Sequence, residues 1–156
     1  PIDGSLEAIA TLTASGYRLA VATNQSGLAR GLFDEYALAN IHQKLRVSVE
    51  DKGGFIEGIF FCPHGPGESC SCRKPGTGLL ARIEQELGVS LAGQAFVGDS
   101  LTDLHAAQSY NMRAVLVRTG KGAETEKQLQ SLTEQKVEIF DCLAEFVSAE
   151  TSAKYA

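Results

Sequence analysis

The sequence predicts an α/β fold, a parallel sheet with helices on both faces. Two observations carry that expectation. Short apolar runs of strand length alternate with longer segments of helical period along the chain. Several of those runs end in turns rich in hydroxyls, amides, carboxylates and glycine, and open α/β sheets carry their sites at such carboxyl ends.

The elements follow in order. "SLEAIATLTASG" places Leu6, Ile9, Ala10 and Leu12 at near-helical spacing, with Ser5 as N-cap and Gly16 as stop. "YRLAVATN" is a short apolar strand. "FDEYALANIHQKLRVSVEDKGG" is a helix capped by Asp34, with Leu38, Ile41, Leu45 and Val49 on one face and Gly53-Gly54 at its end. "IEGIFFC" is a second strand, and "GLLARIEQELG" a helix closed by Gly88. "QAFVGDS" is a third strand, "LTDLHAAQSYN" a short helix, "RAVLVRTG" a fourth strand and "EIF" a fifth. Alternation of this kind implies parallel strands. The closing "SAETSAKYA" is small and polar, so a frayed tail is expected over 148–156 and one domain over 1–147.

Composition fits one ordinary globular domain: 156 residues, 44% hydrophobic and 21% charged. A net charge of −5 argues against nucleic acid as a partner, though not against a local basic pocket for an anion. No apolar run has the ~20 residues a membrane span needs, and the first residues lack the pattern of a signal peptide. A cytoplasmic, monomeric protein is the expectation. In a reducing compartment clustered cysteines are metal ligands more often than disulfides.

Three strand ends carry chemistry. After the first strand comes "TNQSGLARG" from Thr23. Its hydroxyls, amides and free N–H groups suit phosphate oxygens, and equally suit plain helix-cap chemistry. After the third comes "VGDSLTD", with Asp99 at the strand tip and Asp103 one helical turn on. Asp99 has the hard oxygen that Mg²⁺ prefers, and Asp99 or Ser100 would also serve as an N-cap.

After the second strand comes "CPHGPGESCSCRKP". Cys62, His64, Cys70 and Cys72 form two close pairs five residues apart, the tetrahedral soft set that Zn²⁺ takes. With four protein ligands no position remains for water, so the site is expected to be structural. Arg73 and Lys74 follow at once, where the metal loop would pin them as an anion fork and a point charge. Cys142, among apolar residues, is expected to be a small core residue.

Together these stretches resemble the haloacid dehalogenase (HAD) superfamily of phosphatases. "VATNQSG" resembles its second motif, "CRKP" its third and "VGDSLTD" its fourth, from about Pro1 to about Gly122. "CPHGPGESCSCRKP" resembles the zinc-loop branch, which holds heptose-bisphosphate and histidinol-phosphate phosphatases. "TNQSGLARG" and "VLVRTGKG" look more like the heptose-bisphosphate members. The resemblance implies a Rossmann-like HAD fold, with a small zinc-binding loop in place of a large cap domain. It implies a phosphorylated sugar substrate, catalytic Mg²⁺ and structural Zn²⁺. Thr23 would bond the transferred phosphoryl group and Lys74 would neutralise its charge. Asn24, Gln25, Ser26 and Arg73 would line the substrate side. Asp99 would hold Mg²⁺, and Asp103 would support its loop.

The sequence departs from the family pattern twice. Ser100 stands where relatives often have Lys. The first motif, an apolar strand ending in Asp-x-Asp-Gly, is not among these 156 residues. That motif supplies the nucleophile and the general acid/base, and its strand lies between those ending at Thr23 and Asp99. A fragment of a phosphatase, inactive by itself and missing its central strand, is therefore expected. The alternatives are a histidinol-phosphate phosphatase and a non-catalytic zinc-stabilised binding module.

Overall fold

Among the described residues, two separate parallel sheets rather than one organise the fold. The computed structural model describes residues 1–129 and 136–154. Its elements are α1 (Ser5–Ala14), β1 (Ala20–Asn24), α2 (Glu35–Glu50), β2 (Gly58–Cys62), α3 (Gly78–Leu87), β3 (Ala95–Gly98), α4 (Leu101–Ser109), β4 (Arg113–Val117), α5 (Gly122–Leu129), β5 (Glu138–Phe140) and α6 (Leu143–Lys154). β1 pairs with β2 from Ala20–Gly58 to Asn24–Cys62. β3 pairs with β4 from Ala95–Arg113 to Gly98–Leu116, and β5 extends that sheet on the far side of β4. Among the described residues no ladder joins the two sheets. A cavity of about 750 Å³ separates β1 from β3. The gap lies between the strands that end near Thr23 and Asp99, the place that the family pattern gives to the absent central strand.

Packing explains why the elements hold despite the gap. Strand alternation sends neighbouring side chains to opposite faces. On β4, Leu116 joins Phe60, Leu79, Leu80, Ile83 and Leu104 on one side. Val115 joins Leu12, Phe146 and Val147 on the other. Each face is thus sealed by helices, α3 and α4 on one and α1 and α6 on the other. Polar ties lock the margins: Arg113 bridges Glu138 on β5 and Glu150 on α6, each at 2.9 Å. Those two carboxylates hold the guanidinium pKa above its usual range, and Glu138 is lowered in turn by Arg113.

Several expectations need correction. Gly4, in the left-handed region, is the N-cap of α1, and Ser5 is its first helical residue. Residues 148–154 are not a frayed tail: α6 runs to Lys154, anchored by buried Phe146 and Val147 and by the Glu150 pair. Residues 155 and 156 lie outside the described residues. Cys142 is half-buried rather than in the core, and Ile41 is exposed, leaving Leu38 and Val49 as the buried anchors of α2. Asp34 does cap α2, accepting the Ala37 N–H at 2.8 Å. No helix among the described residues is long and apolar enough to cross a membrane.

Candidate functional site

All three chemistry-bearing turns open at the same end of the sheets, since parallel strands share a direction. The metal-type cluster is the most defined. Cys62 ends β2, and the loop that follows folds His64, Cys70 and Cys72 back onto it, with all four ligand atoms within 4.8 Å of one another. Cys62 Sγ lies 3.7 Å from Cys70 Sγ and 3.1 Å from Cys72 Sγ, and His64 Nδ1 lies 3.3 Å from Cys72 Sγ. Zn–S bonds of about 2.3 Å at tetrahedral angles set sulfurs roughly 3.8 Å apart, so the cluster is of the right size and donor type for that ion. Without a cation the crowding is unfavourable: burial, and then the neighbouring Cys62 and Cys70 thiols, push the Cys72 thiol up to about 12. The Glu68 carboxylate accepts the Gly65 N–H and tightens the turn between the pairs.

The loop delivers two cations. Arg73 Nη1 donates to the His64 carbonyl at 3.1 Å, tethering the guanidinium to the cluster. Lys74 is held from both sides. Its N–H donates to Asn24 Oδ1 at 3.0 Å, and Asn24 Nδ2 donates back to the Lys74 carbonyl at 3.1 Å. Its ammonium, largely buried, sits 2.7 Å from Asp103 Oδ1 and donates to the Ala22 carbonyl at 2.6 Å. It also lies 5.5 Å from the centre of the Phe96 ring. Lys74 therefore reaches across the end of the gap, from β1 to β3 and α4.

Asp99 and Asp103 divide the labour at the end of β3. Ser100 is the N-cap of α4 in a reciprocal box with Asp103. Asp103 Oδ2 accepts from Ser100 Oγ at 2.7 Å, Ser100 N–H at 3.1 Å and Asp99 N–H at 3.2 Å. Gly98 permits this, because a Cβ there would run into the Asp103 side chain. The residue that departs from the family pattern, Ser100, thus has a capping role here. Asp99 Oδ2 accepts the Lys121 N–H at 2.9 Å, while Thr125 Oγ1 donates to the Asp99 carbonyl at 2.8 Å. Among the described residues Oδ1 has no such partner, and a free carboxylate oxygen fits the donor set Mg²⁺ takes.

The turn after β1 is less committed. Thr23 Oγ1 accepts from Gln25 Nε2 at 3.1 Å, and Gln25 N–H donates to the Cys62 carbonyl at 2.8 Å, tying the turn to the cluster. Ser26 lies in the turn that follows, its carbonyl accepting the Arg30 N–H. Asn24, expected to line the substrate side, has both ends of its amide engaged with the Lys74 backbone. Sequence reasoning missed the loop that holds Asp99. Its signal is "RTGKG": Gly120 has φ +63°, and a Cβ there would collide with Asp99 Oδ2. A glycine pair following a strand is a sign of close backbone approach.

Comparison with known proteins agrees with this geometry. A HAD-hydrolase-like family model matches residues 71–146. The chain is 48% identical over 149 residues to a D-glycero-beta-D-manno-heptose-1,7-bisphosphate 7-phosphatase of Pseudomonas aeruginosa, covering 96% of this chain and 82% of that protein. It is 40% identical over 146 residues to one of Neisseria meningitidis, covering 94% of this chain and 78% of that one. The crystal structure of D,D-heptose 1,7-bisphosphate phosphatase from Bordetella bronchiseptica, complexed with magnesium and phosphate, superposes with TM-score 0.89 at 42% identity, over 99% of this chain and 84% of that chain. The corresponding structure from Burkholderia thailandensis gives TM-score 0.75 at 36% identity, over 97% and 86%.

Proposed function

This chain belongs to the HAD-like hydrolases, in the family of D-glycero-beta-D-manno-heptose-1,7-bisphosphate 7-phosphatases, and on that premise we propose that it is the phosphate-binding body of an enzyme that removes the 7-phosphate of that sugar, a step in making heptose precursors of lipopolysaccharide. The observation that carries the reading is the convergence of Lys74, Asp99 and Thr23 at one end of the two sheets, with Lys74 fixed by Asn24 and Asp103.

The chemistry is phosphomonoester hydrolysis. A carboxylate on the strand that would fill the gap attacks phosphorus, the P–O bond to the sugar breaks, and a second carboxylate gives the leaving alkoxide its proton. Water, deprotonated by that second carboxylate, then cleaves the aspartyl-phosphate. This chain's residues bind and orient. Thr23 Oγ1, which accepts from Gln25 Nε2, keeps its own proton to donate to a phosphoryl oxygen. Lys74 places a fixed positive charge beside the same oxygens, where preorganised charge lowers the barrier. Arg73 forks onto the substrate, with Gln25 and Ser26 beside it. Mg²⁺ held by Asp99 Oδ1 would supply further charge stabilisation for the phosphoryl oxygens. Zn²⁺ held by Cys62, His64, Cys70 and Cys72 would fix the loop that carries Arg73 and Lys74.

We place the enzyme in the cytoplasm as a monomer. A doubly phosphorylated sugar does not cross a bilayer unaided, and the clustered thiols suit a reducing compartment. The test is a chain joined at its start to an apolar strand ending in Asp-x-Asp-Gly. With Mg²⁺ it should hydrolyse heptose 1,7-bisphosphate in preference to histidinol phosphate, and the 156-residue chain alone should hydrolyse neither. Preference for histidinol phosphate, or equal turnover without the added strand, would overturn the reading.

A further inference from the structure

Gln25 is placed to control the direction of one hydroxyl. Its backbone is fixed at both ends. The N–H donates to the Cys62 carbonyl at 2.8 Å, just past the last β1–β2 pair, and the carbonyl accepts the Leu28 N–H at 3.1 Å. Cys62 is buried, so the end of β2 in the core sets where the Gln25 side chain begins. Along an extended chain, residues i and i+2 project to one side, about 6.6 Å apart. The Gln25 side chain spans that distance back to Thr23, and Nε2 donates to Thr23 Oγ1 at 3.1 Å. Asn24, between them, goes elsewhere: its amide is taken up by the Lys74 backbone.

A threonine hydroxyl has one proton to give and two lone pairs that receive. With an amide N–H already aimed at the oxygen, the hydroxyl proton cannot turn that way. Among the described residues the Thr23 hydroxyl gives its proton to no partner. This half-buried group therefore receives one hydrogen bond and has one left to donate. Ionised phosphoryl oxygens are acceptors only. A hydroxyl held proton-first suits them, and one turned lone pair first repels them. Accepting from Gln25 also strengthens the onward bond, because chained hydrogen bonds polarise one another.

We propose that Gln25 is a positioning residue: it acts through Thr23, holding the hydroxyl proton toward the phosphoryl group, and does not read the rest of the substrate. The proposal takes from the phosphatase reading only that a phosphoryl group docks at Thr23. Gln25 then matters equally for every ligand that brings that group, whatever else the ligand carries.

The test is a double-variant cycle in the strand-joined chain loaded with Zn²⁺ and Mg²⁺, with inorganic phosphate as the probe and calorimetry as the readout. Thr23→Val removes the hydroxyl at nearly constant shape and should weaken phosphate at least about tenfold, the scale of a hydrogen bond to a charged group. Gln25→Met keeps the length, removes the donor and should weaken phosphate about fivefold. In the Thr23→Val background Gln25→Met should change affinity by less than about twofold, because the group it acts through is gone. Gln25→Glu offers an acceptor of the same shape and should weaken phosphate more than Gln25→Met, since it draws the Thr23 proton to itself. Melting temperature and Zn²⁺ content are read on each variant, and Gln25→Glu carries the cycle if Gln25→Met does not fold. Independent, multiplying losses in the double variant would overturn the proposal. So would full affinity in Gln25→Glu, which would make the amide an acceptor, or an unaltered protein that binds no phosphate. Hydrolysis then separates the two readings. Gln25→Met should lower kcat/KM by the same factor for heptose 1,7-bisphosphate and for p-nitrophenyl phosphate. A loss confined to the sugar ester would put Gln25 against the sugar and overturn the proposal, with the phosphatase reading intact. A coupled phosphate cycle without hydrolysis of either ester would keep the positioning role and sink the phosphatase reading.

Discussion

Removing the Asp103 carboxylate tests how the site is held together. Asp103 is 6% exposed and has four partners: the Lys74 ammonium on Oδ1, and Ser100 Oγ, Ser100 N–H and Asp99 N–H on Oδ2. Asp103→Ala leaves a largely buried ammonium with the Ala22 carbonyl as its remaining hydrogen-bond acceptor. Breaking a buried ion pair from one side costs about 3–5 kcal/mol. Loss of the reciprocal cap on α4 adds about 1 kcal/mol. Part of this is recovered as water reaches Lys74, so the expected loss is about 4 kcal/mol. With a urea slope near 2 kcal/mol per molar for a small domain, the midpoint should fall by roughly 2 M.

The assay is urea unfolding followed by far-UV circular dichroism at fixed Zn²⁺. Asp103→Asn keeps an acceptor for the cap and should lose about half as much. The double variant Lys74→Met, Asp103→Leu removes both charges and should recover much of the loss, because a buried pair adds little over an apolar pair of similar volume. A midpoint change below about 0.5 M for Asp103→Ala, equivalent to about 1 kcal/mol, would refute the reasoning. It would mean that Lys74 is solvated in solution and that the pair does not organise the end of the gap.

The cluster should hold one Zn²⁺ per chain after washing with a weak chelator, and Cys70→Ser should reduce that, as elemental analysis reads; four freely titrating thiols in the unaltered chain would contradict it. In the strand-joined chain Asp99→Asn should abolish Mg²⁺-dependent hydrolysis while leaving Zn²⁺ content intact, since the two ions take hard and soft donors respectively. Gly120→Ala places a Cβ against Asp99 Oδ2 at a left-handed φ; it should raise the Mg²⁺ concentration needed for half-maximal rate, again with Zn²⁺ content unchanged. Arg113 lowers the Glu138 carboxyl, so this group's contribution is present above its unfolded pKa of about 4.3 and lost as pH falls through the lower folded value. The melting-temperature difference between the unaltered chain and Glu138→Gln should therefore be full near pH 7 and vanish well below about pH 4, and a difference that persisted into strong acid would exclude this linkage.

How much of this is legible in the sequence depends on range. The strand cores and the α2 cap can be read because apolar runs and an N-cap are local, as Asp34 and its Ala37 partner show. The metal-type cluster can be read because its ligands lie within one loop, and three thiols beside an imidazole suit a soft metal ion. α5 and α6 cannot. α5 presents a nearly continuous polar run, and its place depends on Thr125 reaching the Asp99 carbonyl from 26 residues away in sequence. α6 opens in apolar residues but ends in small polar ones, and what extends it is Arg113 on a distant strand holding Glu150. The role of Asn24 escapes local reading for the same reason. Its neighbours suggest a substrate-facing turn, yet its partner is the backbone of Lys74, fifty positions on. The site thus rests on a few long-range polar bonds over locally specified elements. Local pattern fixes which groups reach the strand ends. Which of them stay free for substrate is decided by contacts such as Asn24 to Lys74 and Asp103 to Lys74, and these form only when β1, the metal loop and α4 come together.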